Sequence, residues 1–130
     1  MIYLDPTAVA KLLTPQPETA ALRAFLAEHD DTRWFTCAIT EVELIRAEPP
    51  ERYEAIKEAM ASLDTVIITD RLLESATQIS PGASPLDALH LAAATTAGTR
   101  LQAFITYNPD RAAAAQSAGL PVAQPKEAHR

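Results

Sequence analysis

The sequence predicts an α/β domain, with a mostly parallel sheet of four to five strands and helices on both faces. Three observations carry that prediction. Short apolar or β-branched runs alternate with longer stretches of helical periodicity along the chain. No internal repeat or linker interrupts the alternation. The 130 residues, 48% of them apolar, suit one domain large enough to bury a core.

Taken in order, residues 2–4 are an apolar strand that stops at Asp5. Residues 7–13 read as a short helix, broken by Thr14-Pro15-Gln16-Pro17. Leu22, Phe25 and Leu26 fall at helical spacing within 18–28, and His29-Asp30-Asp31 ends that helix. Residues 33–36 form a second strand. Residues 39–47 are helical and close at Glu48-Pro49-Pro50. Over 51–63, Tyr53, Ile56, Met60 and Leu63 share one face opposite the charges. The β-branched run 65–68 is a strand, 70–79 a helix and Ser80-Pro81-Gly82 a turn. Residues 85–97 are apolar nearly all round, as a buried helix requires, with Gly98 placed to cap it. A strand over 103–106, a helix over 109–118 ending at Gly119 and an edge strand over 120–122 complete the sheet. Residues 1–124 form a single domain, and 125–130 are a polar tail, frayed from Gln124 onward.

Composition narrows the function. Seventeen acidic against eleven basic residues give a net charge of −6, which excludes broad electrostatic adhesion to nucleic acid or anionic membrane. The lone Cys37 cannot form an intrachain disulfide or a thiolate metal site, and fits a reducing compartment. No apolar run approaches the ~20 residues of a membrane span, and the N-terminus lacks the features of a signal peptide, so a cytoplasmic protein is expected.

A parallel sheet brings strand ends and the helix starts that follow them to one edge. Asp5, Glu43, Asp87 and the Asn108/Asp110 pair can therefore converge. Gathered carboxylates repel, and a hard divalent cation, Mg²⁺ or Mn²⁺, relieves that repulsion while orienting phosphate and activating water. The same residues also fit helix caps. Thr40 with Glu43 makes a capping box, Ser84-Pro85-Leu86-Asp87 a similar one, and Asn108-Pro109 an N-cap with a first-position proline. His90, three residues after Asp87, reads as a core histidine or a group near phosphate. Arg46, three after Glu43, pairs with it or touches phosphate. A phosphatase with a nucleophilic aspartate needs a second aspartate two residues after Asp5, where Thr7 stands. A receiver domain needs an aspartate ending its third strand, and Asp70 follows 65–68 too loosely.

The order of motifs resembles the PIN-domain ribonucleases, in particular the VapC-like toxins of type II toxin–antitoxin systems. Met1 to Ala8 resembles the family's opening strand with its first aspartate, Asp5. Thr40-Glu-Val-Glu43-Leu-Ile-Arg46-Ala47 resembles the second motif and selects Glu43 over Glu41. Ser84-Pro-Leu-Asp87-Ala-Leu-His-Leu-Ala92 resembles the third, and Phe104-Ile-Thr106-Tyr-Asn108-Pro-Asp110 the fourth. Two positions depart: Pro6 replaces a hydroxyl residue, with Thr7 one place on, and Asn108 replaces an acidic residue. The resemblance implies a PIN fold and an Mg²⁺- or Mn²⁺-dependent endoribonuclease. Asp5, Glu43 and Asp87 would serve as metal ligands, with Asn108 or Asp110 as the fourth catalytic position. Thr7, Arg46, His90 and Thr106 would lie towards the substrate, and Lys11, Arg46 and Arg111 would supply basic contacts to RNA. It implies further a cognate VapB-like antitoxin and a homodimer, with the Leu22/Phe25/Leu26 face either packed in the core or open to an antitoxin helix. The alternative is a catalytically impaired PIN-fold protein that binds its antitoxin without cutting.

Overall fold

Strands of two to four residues form a single sheet in the computed structural model, which describes residues 1–126. Its strands are β1 Ile2–Leu4, β2 Trp34–Cys37, β3 Asp64–Val66, β4 Ala103–Ile105 and β5 Val122–Ala123. The helices are α1 Pro6–Leu13, α2 Thr19–Glu28, α3 Ile39–Ala47, α4 Tyr53–Ala61, α5 Asp70–Gln78, α6 Pro85–Thr95 and α7 Pro109–Ser117, with 3₁₀ turns at Pro50–Arg52 and Gly98–Arg100. The sheet order is β3-β2-β1-β4-β5, and every neighbouring pair is parallel. Among the described residues no helix is long and apolar enough to cross a membrane.

Alternation along the strands splits the core into two layers. Tyr3, Phe35 and Phe104 face one side and pack with Leu72, Leu91 and Ala115 under α5, α6 and α7. Ile2, Leu4, Ala103 and Ile105 face the other and pack with Val9, Leu22, Leu44 and Ile56 under α1 to α4. The Tyr3 ring stacks on Phe104 and meets the edge of Phe35, each at 5.1 Å between centroids. Because both faces are covered, β1 and β4 are buried at every residue. That explains why they are unbroken apolar runs.

Several boundaries differ from expectation for identifiable reasons. β3 covers 64–66 rather than 65–68, because its partner β2 ends at Cys37, level with Val66. Ile67 and Ile68 are left outside the ladder and exposed, despite their β-branched shape. The helix expected over 51–63 opens as the 3₁₀ turn and ends at Ala61, since β3 begins three residues later. α6 stops at Thr95 with Thr96 as its cap, so Gly98, at φ +58°, shapes the following turn rather than capping the helix. β5 is shifted to 122–123 by its register with Phe104 and Ile105. The tail is anchored further than expected, as the Tyr107 hydroxyl donates to the Pro125 carbonyl at 2.8 Å. Residues 127–130 of the expected tail lie outside the described residues.

Candidate active site

β1 runs towards β2 and β3 on one side, while β4 and β5 lie on the other. The chain therefore reverses its direction of sheet growth beside β1, and parallel sheets bind ligands in the crevice at such a point, beyond the strand ends. Leu4 is level with Ile105, which sets Asp5 beside Thr106 at this crevice.

Asp5 is fully buried and also caps α1. Its Oδ1 accepts from the Thr7 hydroxyl at 2.6 Å and the Ala8 amide at 2.9 Å. Its Oδ2 accepts from the Thr106 hydroxyl at 2.6 Å and from Arg111 Nη1 at 2.8 Å. The two threonines are themselves fixed. Thr7 Oγ1 accepts from the Tyr107 amide, and Thr106 Oγ1 from the Asn108 amide. Both hydroxyls thus hold Asp5 in place, and Thr106 is wholly enclosed.

Asp87 enters from the first turn of α6, which Ser84 caps by accepting from the Asp87 amide. The Asp87 carboxylate accepts from Arg111 Nε at 2.8 Å. Glu43 enters from α3, with Oε2 3.9 Å from Arg111 Nη2. The expected capping box around Thr40 and Glu43 does not form. α3 begins at Ile39, as its expected span has it, so Thr40 lies inside the helix, buried against the Thr36 hydroxyl at 2.7 Å. Glu43 is thereby free to point inward, where Oε1 meets His90 Nε2 at 2.5 Å.

His90 is fully buried, and its Nδ1 lies 2.6 Å from the Tyr3 hydroxyl. The Cys37 amide donates to that hydroxyl at 3.2 Å. The network assigns the protons: Tyr3 donates to Nδ1, leaving Nε2–H to donate to Glu43. Burial pushes the Tyr3 phenol well above its ordinary value, so it serves as a neutral donor. His90 therefore reaches the site through Glu43 and not through open space.

Arg111 is the centre of the arrangement and the residue whose place the sequence did not reveal. It was expected as a basic contact for RNA, yet it is buried among the three carboxylates. Burial opposes its charge, but the Asp5 carboxylate and the bonds to Asp87 and Asp5 outweigh burial and hold the guanidinium above its usual value. One signal was present: Arg111 sits in the first turn of α7, where the helix dipole disfavours a cation. A cation there needs acidic partners.

The remaining candidates lie further out. Asn108 caps α7, its Oδ1 accepting from the Asp110 and Arg111 amides. Asp110 is exposed, and shares with Asp87 the lining of a cleft of about 700 Å³ between the 80–84 turn and α7. Arg46 is exposed on α3, and no ion pair joins it to Glu43 among the described residues. Lys11 pairs with Glu18 at 3.2 Å and lies over the Tyr107 ring. Leu22 and Leu26 are buried in the core, and Phe25 packs partly against it, stacked on His29. Core packing is thus the reading of that face which the structure supports.

The oxygen-only donor set of Asp5, Glu43 and Asp87 matches the chemistry of Mg²⁺ or Mn²⁺. Among the described residues, however, no three acidic, histidine or cysteine side chains stand close enough together to hold an ion. The Arg111 guanidinium stands between the three carboxylates.

Comparison with known proteins agrees with this architecture. The PIN domain family model matches residues 2–116. Ribonuclease VapC35 of Mycobacterium tuberculosis is 40% identical over 135 positions, spanning 98% of this chain and 99% of the relative. Ribonuclease VapC47 of the same organism is 33% identical, over 96% and 97% of the two chains, and Ribonuclease VapC46 is 33% identical over 95% and 97%. The chain belongs to the PIN-domain family, and within it to the VapC group.

Proposed function

We propose that this chain is an endoribonuclease toxin that hydrolyses RNA phosphodiester bonds with Mg²⁺ or Mn²⁺, acts in the cytoplasm as a homodimer and is held in check by a VapB-like antitoxin. The observation that carries the reading is the gathering of Asp5 just after β1, Glu43 of α3 and Asp87 of α6 around the Arg111 guanidinium at the carboxyl edge of the sheet. Three VapC relatives carrying the name ribonuclease support the reaction class.

Asp5, Asp87 and Glu43 would hold the ion, which supplies charge stabilisation at the phosphate and a more acidic bound water. Thr7 and Thr106 keep Asp5 in one orientation. Tyr3 and His90 do the same for Glu43, whose second oxygen is left to orient water. Asn108 keeps the start of α7 in place, Asp110 lines the cleft beside Asp87, and the exposed Arg46 would meet phosphate.

Cleavage of total RNA by purified, antitoxin-free protein tests this reading, with Mg²⁺, Mn²⁺ or EDTA, beside Asp87→Asn. The expected result is discrete products that require metal and are lost in the variant. Parental cleavage by Asp87→Asn would refute the site. A second reading, a PIN-fold protein that binds without cutting, rests on Asn108, whose carbonyl oxygen is engaged in capping α7 at the fourth acidic position. Absence of cleavage with either metal would favour it.

A further inference from the structure

We infer that Arg111 is a tethered internal cation that holds the place a divalent ion needs, so that metal binds the acidic cluster only as the guanidinium withdraws. This deepens the metal-dependent reading above and rests on it. The guanidinium donates to one oxygen of Asp5 and one of Asp87, both at 2.8 Å, and stands 3.9 Å from Glu43. Its side chain is 4% exposed. Three carboxylates and one guanidinium leave a local charge of −2, against −3 without it. Asp5, with no exposed surface, depends on this partner when no metal is present.

The same geometry makes Arg111 a displaceable partner. It occupies the third position of α7, where the helix dipole opposes its charge, so the carboxylates alone keep it there. Its oxygens on Asp5 and Asp87 are ones an ion would require. The cleft beside Asp87, with Asp110 on its lining, offers the guanidinium an acidic place to move to. A divalent ion and Arg111 thus compete for one set of oxygens. Arg111 supplies the cluster with a counter-charge when no metal is bound, and metal entry is costlier than at an open carboxylate cluster.

The test compares Mn²⁺ binding, read from the loss of the free-ion electron paramagnetic resonance signal, in the unaltered chain and in Arg111→Met. Removing a unit charge a few ångströms away should tighten Mn²⁺ binding by at least about tenfold. The variant should melt several degrees lower in EDTA, by order of magnitude, and recover with Mn²⁺ more than the unaltered chain does. Adding Asp87→Asn to Arg111→Met should abolish the gain. Arg111→Gln, which keeps hydrogen bonds without charge, carries the same test should the methionine variant fold only with metal. Equal Mn²⁺ affinity in the unaltered chain and the variants would overturn the competition while leaving the metal reading intact. No Mn²⁺ binding by any of them would overturn the metal reading itself, and the competition with it.

Discussion

The Tyr3 hydroxyl is a single oxygen with three consequences. It accepts from the Cys37 amide at the end of β2, donates to His90 and through it fixes Glu43. Tyr3→Phe keeps the ring stacked on Phe104 and edge-on to Phe35, and removes only this oxygen. It leaves a buried amide and a buried imidazole nitrogen unpaired, so urea denaturation should show a loss of about 1–3 kcal/mol. RNA cleavage should fall with it, since Glu43 loses its orientation. Thr106→Val is the matching test on Asp5. It preserves volume, removes the donor to Oδ2 and the acceptor for the Asn108 amide, and should cost about 1–3 kcal/mol by the same measurement.

At the scale of elements, helix starts decide where the acidic groups point. α6 begins with Ser84 as cap and Pro85 at its first position, which turns Asp87 towards the cleft. Ser84→Ala should lower stability by about 1 kcal/mol, read as a shift of the denaturation midpoint at unchanged slope. α1 and α7 begin in the same way, on Asp5 and Asn108. The starts of α6 and α7 were legible in the sequence, because a polar cap beside a proline is a local signal, whereas α1 was read from Thr7, one residue late, with Asp5 as a strand end and not its cap. The span of α3, 39–47, was legible too, but its cap was not: Thr40 is taken up by Thr36, a contact between neighbouring elements that no local pattern encodes. The strands β1 and β4 were legible as apolar runs, while β3 was misplaced because the length of an edge strand is set by its single neighbour. The convergence of Asp5, Glu43 and Asp87 followed from parallel topology. Arg111 at its centre did not, because its partners lie on other elements and only its position against the helix dipole hinted at them.

For the molecule as a whole, three buried or half-buried acids set an alkaline limit. Burial pushes up the Cys37 thiol and the Tyr3 phenol, and raises Tyr107 to about 12. In each case the unfolded chain loses its proton at a lower pH than the folded one. The stabilisation is complete below the ordinary values, near 9 for the thiol and 10 for the phenols, and is lost as pH rises through the folded ones. Denaturation midpoints measured from pH 8 to pH 11 should therefore fall steadily above about pH 9. A flat profile over that range would contradict the burial of these groups. The sheet order has a consequence in time. β1 is made first, yet its second neighbour is β4, and Asp5 meets Thr106 and Arg111 only across 101 and 106 positions of chain. On the ribosome, where segments fold in the order they emerge, the crevice stays unbuilt until β4 and α7 have followed β1 out. A chain assembled this way has no complete acidic edge while the residues before α7 are still being added.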